Sequence, residues 1–229
     1  MSLDVKFKVL ERTDFDQVFE FLQTIFRVQE PITDALKTTA NDSYIFYKDL
    51  CSAGFQRAGT SLSVVDENGE LVGIALNGVY SYNDLPRVLG TQKSDFTKEI
   101  ANGPYPTPNA NRLIVFIEHV EAGLFGYLKA TDRIFKCDIL CVRKDYCGQG
   151  IGSKLISKSV KLAKQFGCTV CATTATAQAS QRLFKKHGFQ TLRRVEFAQF
   201  FDNNEAVYLG VHDNGKSAKC MLLDLQKHE

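Results

Sequence analysis

The chain has 229 residues, 44% of them hydrophobic, and 28 basic against 26 acidic residues give a formal net charge of +2. This balance argues against nucleic acid as a partner, because binding a phosphate backbone needs a concentrated basic surface. Seven cysteines in so long a chain argue against a secreted disulfide framework, and no apolar run reaches the ~18 residues of a membrane span. We therefore expect one domain over residues 1–229, in a cytoplasmic protein that is a monomer or weak dimer and binds no membrane.

The first half of the chain predicts an edge strand, two helices and a hairpin, over residues 5–10, 13–30, 33–51, 61–66 and 70–79. Thr13 is a favoured residue type for an N-cap, and apolar residues at helical spacing follow it. Pro31 ends this helix because proline disfavours helical backbone in the residue before it. Asn68-Gly69 supplies the positive φ angles that a tight hairpin turn needs.

The second half predicts a loop after a short helix over residues 84–107, then helices and strands in alternation. The helices are expected at 112–128, after Gly152 and at 180–186, and the strands at 136–142, 169–174, 195–201 and 219–225. Gly167 is expected to end the middle helix. The order β-α-α-β-β-α-α-β-α-β-α-β-β indicates an α/β protein.

The strongest local motif is Gly148-Gln149-Gly150-Ile151-Gly152-Ser153, between a buried strand and an amphipathic helix. Glycines let backbone come close to a ligand, and the first turn of a helix offers unpaired N–H groups to an anion such as a pyrophosphate. A plain strand-to-helix turn is the alternative. A P-loop is disfavoured because Gly-Lys-Ser/Thr is absent, and a Rossmann site because the third glycine of its fingerprint is absent.

Residues 147–152 resemble motif A of the GNAT N-acetyltransferases, Arg/Gln-x-x-Gly-x-Gly/Ala, with Gly150 and Gly152 at its glycines and Cys147 at its first position. Residues 173–189, a strand, a loop and a helix ending in Gly188-Phe189, resemble motif B of the same family. Glu30-Pro31, the helix around Glu118 and the Thr176-x-x-x-Ser180 spacing extend the resemblance, which is greatest to the arylalkylamine N-acetyltransferases of insects and related invertebrates.

The resemblance implies the GNAT fold, a mixed α+β form of the α/β class. Its central sheet has about seven mostly antiparallel strands, with helices on both faces. The two middle strands, near Ile139–Val142 and Val170–Thr174, should splay apart and admit the pantetheine arm of acetyl-coenzyme A (acetyl-CoA). The cofactor-binding residues it implies are Leu140, Cys141, Val142, Lys144, Cys147, Gly148, Gln149, Gly150, Ile151, Gly152 and Ser153. Lys154 and Lys158 are further sources of positive charge, since Cys147 cannot supply it.

Acetyl transfer to an amine needs a base, because an alkylammonium with a pKa near ~10 is not a nucleophile. The resemblance places the catalytic base at Glu30 and hydroxyl partners at Thr176 and Ser180; a solvated charge and a helix N-cap are the structural alternatives for Glu30 and Ser180. Many GNAT enzymes have a tyrosine acid where this chain has Phe184. In the invertebrate relatives an acidic residue often precedes the glutamate, where this chain has Gln29.

The resemblance therefore implies acetyl transfer from acetyl-CoA to a primary amine by direct attack, with a small arylalkylamine as the expected acceptor. A polyamine or a protein amine is an alternative, and so is a coenzyme A-binding module without catalysis, given Cys147 and Phe184.

No metal is expected. Cys168 and Cys171, three apart on a strand, face opposite sides, and His119 and His187 are expected to be structural.

Overall fold

A seven-stranded sheet forms the centre of the computed structural model, which describes residues 4–85 and 94–227. Its strands are β1 (Lys6–Val9), β2 (Leu62–Val65), β3 (Leu71–Ser81), β4 (Arg133–Val142), β5 (Val170–Ala175), β6 (Gln190–Glu196) and β9 (Ser217–Asp224), and a separate hairpin contains β7 (Phe201–Asp202) and β8 (Glu205–Ala206). The strand order is β1-β2-β3-β4-β5-β9-β6. Within this sheet β4 and β5 are parallel, and the other neighbours are antiparallel. The mixed, mostly antiparallel sheet expected from the sequence is confirmed.

Helices cover both faces of the sheet. Those of the described residues are α1 (Phe15–Phe21), α2 (Arg27–Gln29), α3 (Pro31–Ala35), α4 (Ala40–Phe55), α5 (Thr97–Ala101), α6 (Pro108–Glu121), α7 (Ile151–Gln165) and α8 (Gln178–Lys186). Apolar residues of α1, α4 and α6 form a core with Ile74, Ile134 and Ile139 of the sheet. Residues of α7 and α8 pack in two further clusters, with Phe135 and Val72 among their sheet partners. No helix within the described ranges is long and apolar enough to cross a bilayer.

The first helix runs almost unbroken to the residue before Glu30. A π-helical segment, Leu22–Phe26, joins α1 to α2. The predicted N-cap at Thr13 is wrong: Arg12–Asp14 forms a 3₁₀ turn, and the N-cap of α1 is Asp14, whose carboxylate accepts a hydrogen bond from the Glu11 N–H at 2.8 Å. This hydrogen bond belongs to the 3₁₀ turn, because the Asp14 side chain makes no capping hydrogen bond to α1, and exposed Thr13 lies in the middle of the turn.

The predicted second helix, residues 33–51, is two helices. Lys37 has a φ of +51°, which breaks the helix after α3, and Thr39 then caps α4 by accepting a hydrogen bond from the Asp42 N–H at 3.1 Å. The hairpin turn is confirmed between β2 and β3, where Gly69 has a φ of +83°. The cap at Gly167 is also confirmed, since this glycine follows α7 with a φ of +68°.

Three boundaries in the second half differ from the prediction. Helix α6 begins four residues early because Pro108 fits the first turn, and it ends at Glu121 rather than at residue 128. The strand predicted at 195–201 overlaps β6 only at residues 195–196, and Phe197–Gln199 forms a 3₁₀ turn. In β6, which lies at the sheet edge, only Val195 is buried, so the strand has no alternating apolar signal. Residues 86–93 of the predicted 84–107 loop lie outside the described residues, and 97–101 form α5.

The start of α8 depends on a residue far along the chain. Its N-cap, Ala177, has no side-chain acceptor, and the Asp213 carboxylate instead accepts a hydrogen bond from the Gln178 N–H at 2.7 Å. This contact fixes the start of α8. The loop between β5 and α8, which contains Thr176, is thereby held by the loop that precedes β9.

Replacing Asp213 with alanine should lower the free energy of unfolding by about 1 kcal/mol, the usual effect of losing a helix cap. Urea denaturation would measure the loss. Asp213→Asn is the matched control, because an amide oxygen can still accept from Gln178, and it should retain most of the stability. Equal losses in both variants would contradict the capping role.

Candidate active site

A groove opens where β4 and β5 stop pairing. Their register runs from Ile134–Val170 to Cys137–Thr173, and the Thr173 hydroxyl closes it by donating to the Cys137 carbonyl at 2.9 Å. Beyond this point the two strands line a cavity of about 490 Å³. The splayed strands expected from the sequence are confirmed, but Val170–Thr173 remain paired and the divergence starts at Asp138 and Thr174.

The glycine motif forms the far wall of this groove. Gly148 and Gly150 both have a φ of +80°, and no atom lies within 4 Å of where their Cβ would be, so backbone conformation rather than crowding requires glycine. Gly150 is the N-cap of α7, and the N–H groups of the first helical turn, from Ile151 on, have no acceptor inside the helix. A helix start of this kind suits a pyrophosphate.

Nine of the eleven predicted cofactor residues line the groove. They are Leu140, Cys141, Val142, Cys147, Gly148, Gly150, Ile151, Gly152 and Ser153, whereas Lys144 and Gln149 do not line it. The Lys158 ammonium lies 5.4 Å from the centroid of the Phe7 ring on β1 and therefore points away. Lys186 of α8 lines the groove instead, and it is a source of positive charge that the sequence reading missed.

The main chain of β4 presents alternate residues to the groove. The Arg143 N–H donates to the Val72 carbonyl at 2.8 Å, and Cys141 is in register with Ile74. By antiparallel alternation the backbone groups of Cys141 pair with β3, while those of Leu140 and Val142 face the groove. Among the three strand residues that the resemblance implied, Cys141 therefore contributes only its side chain.

Gln29 joins the end of α2 to this strand. Its side chain donates to the Val142 carbonyl at 3.0 Å and accepts from the Lys144 N–H at 2.9 Å. Gln29 lines the groove and not the side cavity described below. The residue before Glu30 therefore contacts the main chain at the end of β4. A neutral amide suits this position, because it can donate to a carbonyl and accept from an N–H group at the same time.

Glu30 is buried, with 8% of its surface exposed, and its carboxylate accepts four hydrogen bonds. As the N-cap of α3 it takes the N–H groups of Ile32 and Thr33 at 3.3 and 2.7 Å. The hydroxyls of Thr33 and Thr176 donate to it at 2.6 and 2.7 Å. Glu30 is therefore no solvated surface charge, since the fold brings Thr176 to it from 146 residues away.

Two opposing effects set the proton affinity of Glu30. Burial raises the pKa of this carboxyl, and the hydrogen bonds from Thr33 and Thr176 lower it, with burial the larger effect. A carboxylate whose pKa is raised in this way is a stronger base than one in water.

Burial also raises the pKa of the Cys141 thiol to about 12, so this groove-lining cysteine is protonated at neutral pH.

The two predicted hydroxyl residues have different partners. Thr176 donates to Glu30, as described, and Ser180 donates to the Ala177 carbonyl at 2.8 Å. Ser180 is the third residue of α8, so the alternative that it is the N-cap is wrong; Ala177 holds that position. Both hydroxyls line the groove, and buried Phe184 lines it beside them.

A side cavity of about 170 Å³ meets the groove at Glu30 and Thr176, which line both. Most of its wall is apolar, from α4, α6 and the end of the first helix: Phe26, Ile32, Phe46, Leu50, Leu113, Ile114, Ile117 and Ile139. Besides Glu30, four charged residues line it: Glu118, Glu121, Lys136 and Asp138.

Lys136 neutralises part of this charge. Its ammonium lies 2.9 Å from the Glu121 carboxylate and 3.0 Å from that of Asp138. Burial lowers the pKa of Lys136, but the two carboxylates outweigh it and raise the pKa above its usual value. Asp138 has no register partner on β3, because β4 has a β-bulge there. Charged residues at 136 and 138 in an otherwise apolar strand were the sequence signal for this group.

The predicted histidines are placed away from this junction. Burial lowers the pKa of His119 to about 4, aided by Arg193, and its ring lies 4.7 Å from that of Phe96. His187 shares a hydrogen bond of 2.8 Å with the Ser153 hydroxyl at the start of α7. Within residues 4–85 and 94–227, no three His, Cys, Asp or Glu side chains are grouped to hold a metal ion.

Comparisons with known proteins agree with this geometry. Residues 110–191 match the family model of the acetyltransferase (GNAT) domain. Arylalkylamine N-acetyltransferase 2 from Aedes aegypti has a similar structure, with a TM-score of 0.79 at 24% identity over 96% of this chain and 99% of that one. The polyamine N-acetyltransferase of Drosophila melanogaster, which forms N-acetylagmatine, has a TM-score of 0.75 at 15% identity, covering 96% and 100%. At these identities the likeness establishes the fold.

Replacing Thr176 with valine should raise the pKa of Glu30 further, because the carboxylate loses a donor that favours its charged form. Thr176→Ser is the control that keeps a hydroxyl and should leave the pKa near that of the wild type. An NMR titration of carboxyl-labelled glutamates would follow the change. A pKa that stays the same or falls in Thr176→Val would contradict the hydrogen bond's role.

Replacing Lys136 with methionine should lower the free energy of unfolding by about 3–5 kcal/mol, because two buried carboxylates lose their cation. Thermal or urea unfolding at neutral pH would measure this. The double variant Lys136→Met with Asp138→Asn should recover part of the loss, since one fewer charge remains unpaired. No difference between the single and double variants would contradict the pairing.

Proposed function

We infer that this acetyl-CoA-dependent N-acetyltransferase of the GNAT superfamily transfers its acetyl group to a small primary amine. One observation carries the inference: Glu30 and Thr176 line both the groove and the side cavity. A base at that junction reaches an amine in the cavity and an acetyl donor in the groove. The expectations of a cytoplasmic location and of a monomer or weak dimer remain predictions.

The groove residues fit acetyl-CoA. The αL glycines and the first-turn N–H groups of α7, from Ile151 to Ser153, would hold its pyrophosphate. Main-chain groups of Leu140 and Val142 would hold its pantetheine arm, in the gap beyond Cys137 and Thr173. When bound, acetyl-CoA supplies an acetyl thioester that an amine can attack directly. With the Cys141 pKa near 12, a direct attack suits the site better than a cysteine nucleophile.

Glu30 is proposed as the base. The incoming ammonium must lose a proton, and a carboxylate desolvated by burial accepts it more readily than one in water. Thr176 is proposed to accept the proton from the amine while it gives its own proton to Glu30, because its hydroxyl donates to the Glu30 Oε1 atom and it lines the cavity. Thr33 and the two backbone N–H groups hold the carboxylate in place throughout.

Ser180 is proposed as the group that faces the departing thiolate. Phe184 occupies the position where related enzymes place a tyrosine acid, and it is buried against Phe189 with ring centroids 5.0 Å apart. The Ser180 hydroxyl lines the same groove and donates to a backbone carbonyl. Rotation of that hydroxyl would turn its proton toward the thiolate without moving the helix.

A small arylalkylamine is the proposed acceptor. The apolar wall of the side cavity, with Phe26 and Phe46, suits an aromatic ring, and its acidic residues suit the ammonium. The three carboxylates, against one lysine, favour a polyamine as the second candidate. A protein amine is disfavoured, because the cavity is a pocket between α4, α6 and the sheet rather than an open peptide channel.

The test is thiol release from acetyl-CoA with tyramine, serotonin, dopamine, agmatine, spermidine and a lysine peptide. Tyramine-like amines should be the best acceptors, and Glu30→Gln should lower kcat/KM by about 10²–10⁴-fold, the usual contribution of general base catalysis. Binding of coenzyme A, measured by calorimetry, should be unchanged in this variant.

Gly150→Val is the complementary variant, because a β-branched residue is strained at a φ of +80°. It should weaken coenzyme A binding while leaving the pKa of Glu30 unchanged. Full activity of Glu30→Gln would remove Glu30 from its proposed role, and absence of turnover with every arylalkylamine would reject the proposed acceptor class.

A further inference from the structure

One carboxylate in the side cavity has no hydrogen-bond or ion-pair partner among the residues that the structure describes. Lys136 is shared by Glu121 and Asp138, and the hydroxyls of Tyr80 and Thr174 donate to Asp138 and Glu121, both at 3.3 Å. The side chain of Glu118, one turn before Glu121 on α6, makes no hydrogen bond or ion pair with any residue of the described part of the chain, although the Lys136 ammonium attracts it from a greater distance.

Glu118 also lies away from the reacting end of the cavity. The groove and the cavity share Phe26, Glu30, Asp138, Ile139, Thr174 and Thr176. Glu118 belongs to the cavity alone, among the apolar side chains of Ile114 and Ile117 and near Leu50 of α4. An amine that presents its nitrogen at Glu30 therefore extends its other end toward Glu118.

We propose that Glu118 accepts a hydrogen bond from a ring hydroxyl at the far end of the acceptor amine, and so selects phenolic arylalkylamines. This inference rests on the proposed function. A partly buried carboxylate without a donor is costly, and a substrate hydroxyl removes that cost, whereas an analogue without the hydroxyl leaves it in place.

A neutral donor fits Glu118 better than a second cation. Burial raises the pKa of Glu118, neighbouring Glu121 raises it further, and Lys136 lowers it, so one protein cation already acts on this carboxylate. The walls beside it are aliphatic and aromatic, which suits a ring that carries one hydroxyl. Glu118 is the carboxylate available to a substrate hydroxyl at this end of the cavity, because Glu121 and Asp138 are paired with Lys136.

The experiment compares two pairs of amines that differ by one donor: tyramine with phenethylamine, and cadaverine with pentylamine. For the wild type, kcat/KM should be roughly ten- to fiftyfold higher for tyramine than for phenethylamine, the range expected for one hydrogen bond to a charged group. In Glu118→Leu the tyramine-to-phenethylamine ratio should fall to within about threefold of one. The fall should come mainly from a higher KM for tyramine. In Glu118→Gln the ratio should lie between those of the wild type and Glu118→Leu.

Two controls keep the outcome clear. Glu67→Gln removes one exposed negative charge from the turn after β2 and should leave both ratios unchanged. Because the Glu118 side chain makes no hydrogen bond or ion pair with the described residues, Glu118→Gln should unfold at nearly the same temperature as the wild type. The coenzyme A affinity of every variant should equal that of the wild type.

Each alternative result has its own meaning. A tyramine ratio near one in the wild type, or one that survives Glu118→Leu, overturns the inference but leaves the proposed function intact. If only the cadaverine ratio collapses in Glu118→Leu, a second cation replaces the hydroxyl and the inference is wrong. No turnover with tyramine and phenethylamine alike rejects the proposed acceptor class, and this inference with it.

Discussion

The end of the parallel pairing between β4 and β5 is the constraint on which the rest of the site depends. Four residue pairs hold the strands together, and the Thr173 hydroxyl bonded to the Cys137 carbonyl marks the last of them. Past that point the freed backbone of β4 needs other partners, because buried N–H and C=O groups are rarely left unpaired. Gln29 already satisfies the Val142 carbonyl, and a pantetheine arm would serve the same purpose.

The β-bulge at Asp138 lies at this same level of the sheet. It adds one residue to β4 opposite Leu76 and Asn77, so Asp138 and Ile139 both reach the face on which α4 and α6 pack. A bulge commonly redirects a side chain next to an active site. The acidic group and the apolar wall of the side cavity therefore meet directly beyond the last paired residues of β4 and β5.

Glu30 is the N-cap of α3 and the proposed base, and these two roles have opposite effects on its preferred pKa. As the N-cap of α3 it needs to be ionised to accept from two backbone N–H groups, and those bonds lower its pKa. As a base it benefits from a raised pKa, which burial provides. The two threonine hydroxyls adjust the balance, and Thr176, like Glu30 itself, lines both the groove and the side cavity.

The sequence by itself determined the parts of the site that depend on local backbone chemistry. Positive φ at Gly148 and Gly150 and a helix starting at Ile151 follow from the glycine motif, since few other residues adopt those angles. The splayed strands and the sheet type followed from the resemblance to a known family. The edge strand β6 was misplaced because its exposed residues carry no apolar period.

The tertiary structure alone decided which side chains meet. Thr176 reaches Glu30, Gln29 reaches Val142, and Asp213 reaches the start of α8, across more than thirty residues in each case. Contacts of this kind follow from how helices pack on a twisted sheet, and no local pattern encodes them. For the same reason Lys136, in a strand, and Glu121, at the end of α6, form an ion pair, while Glu118, one turn earlier, lines the side cavity without one.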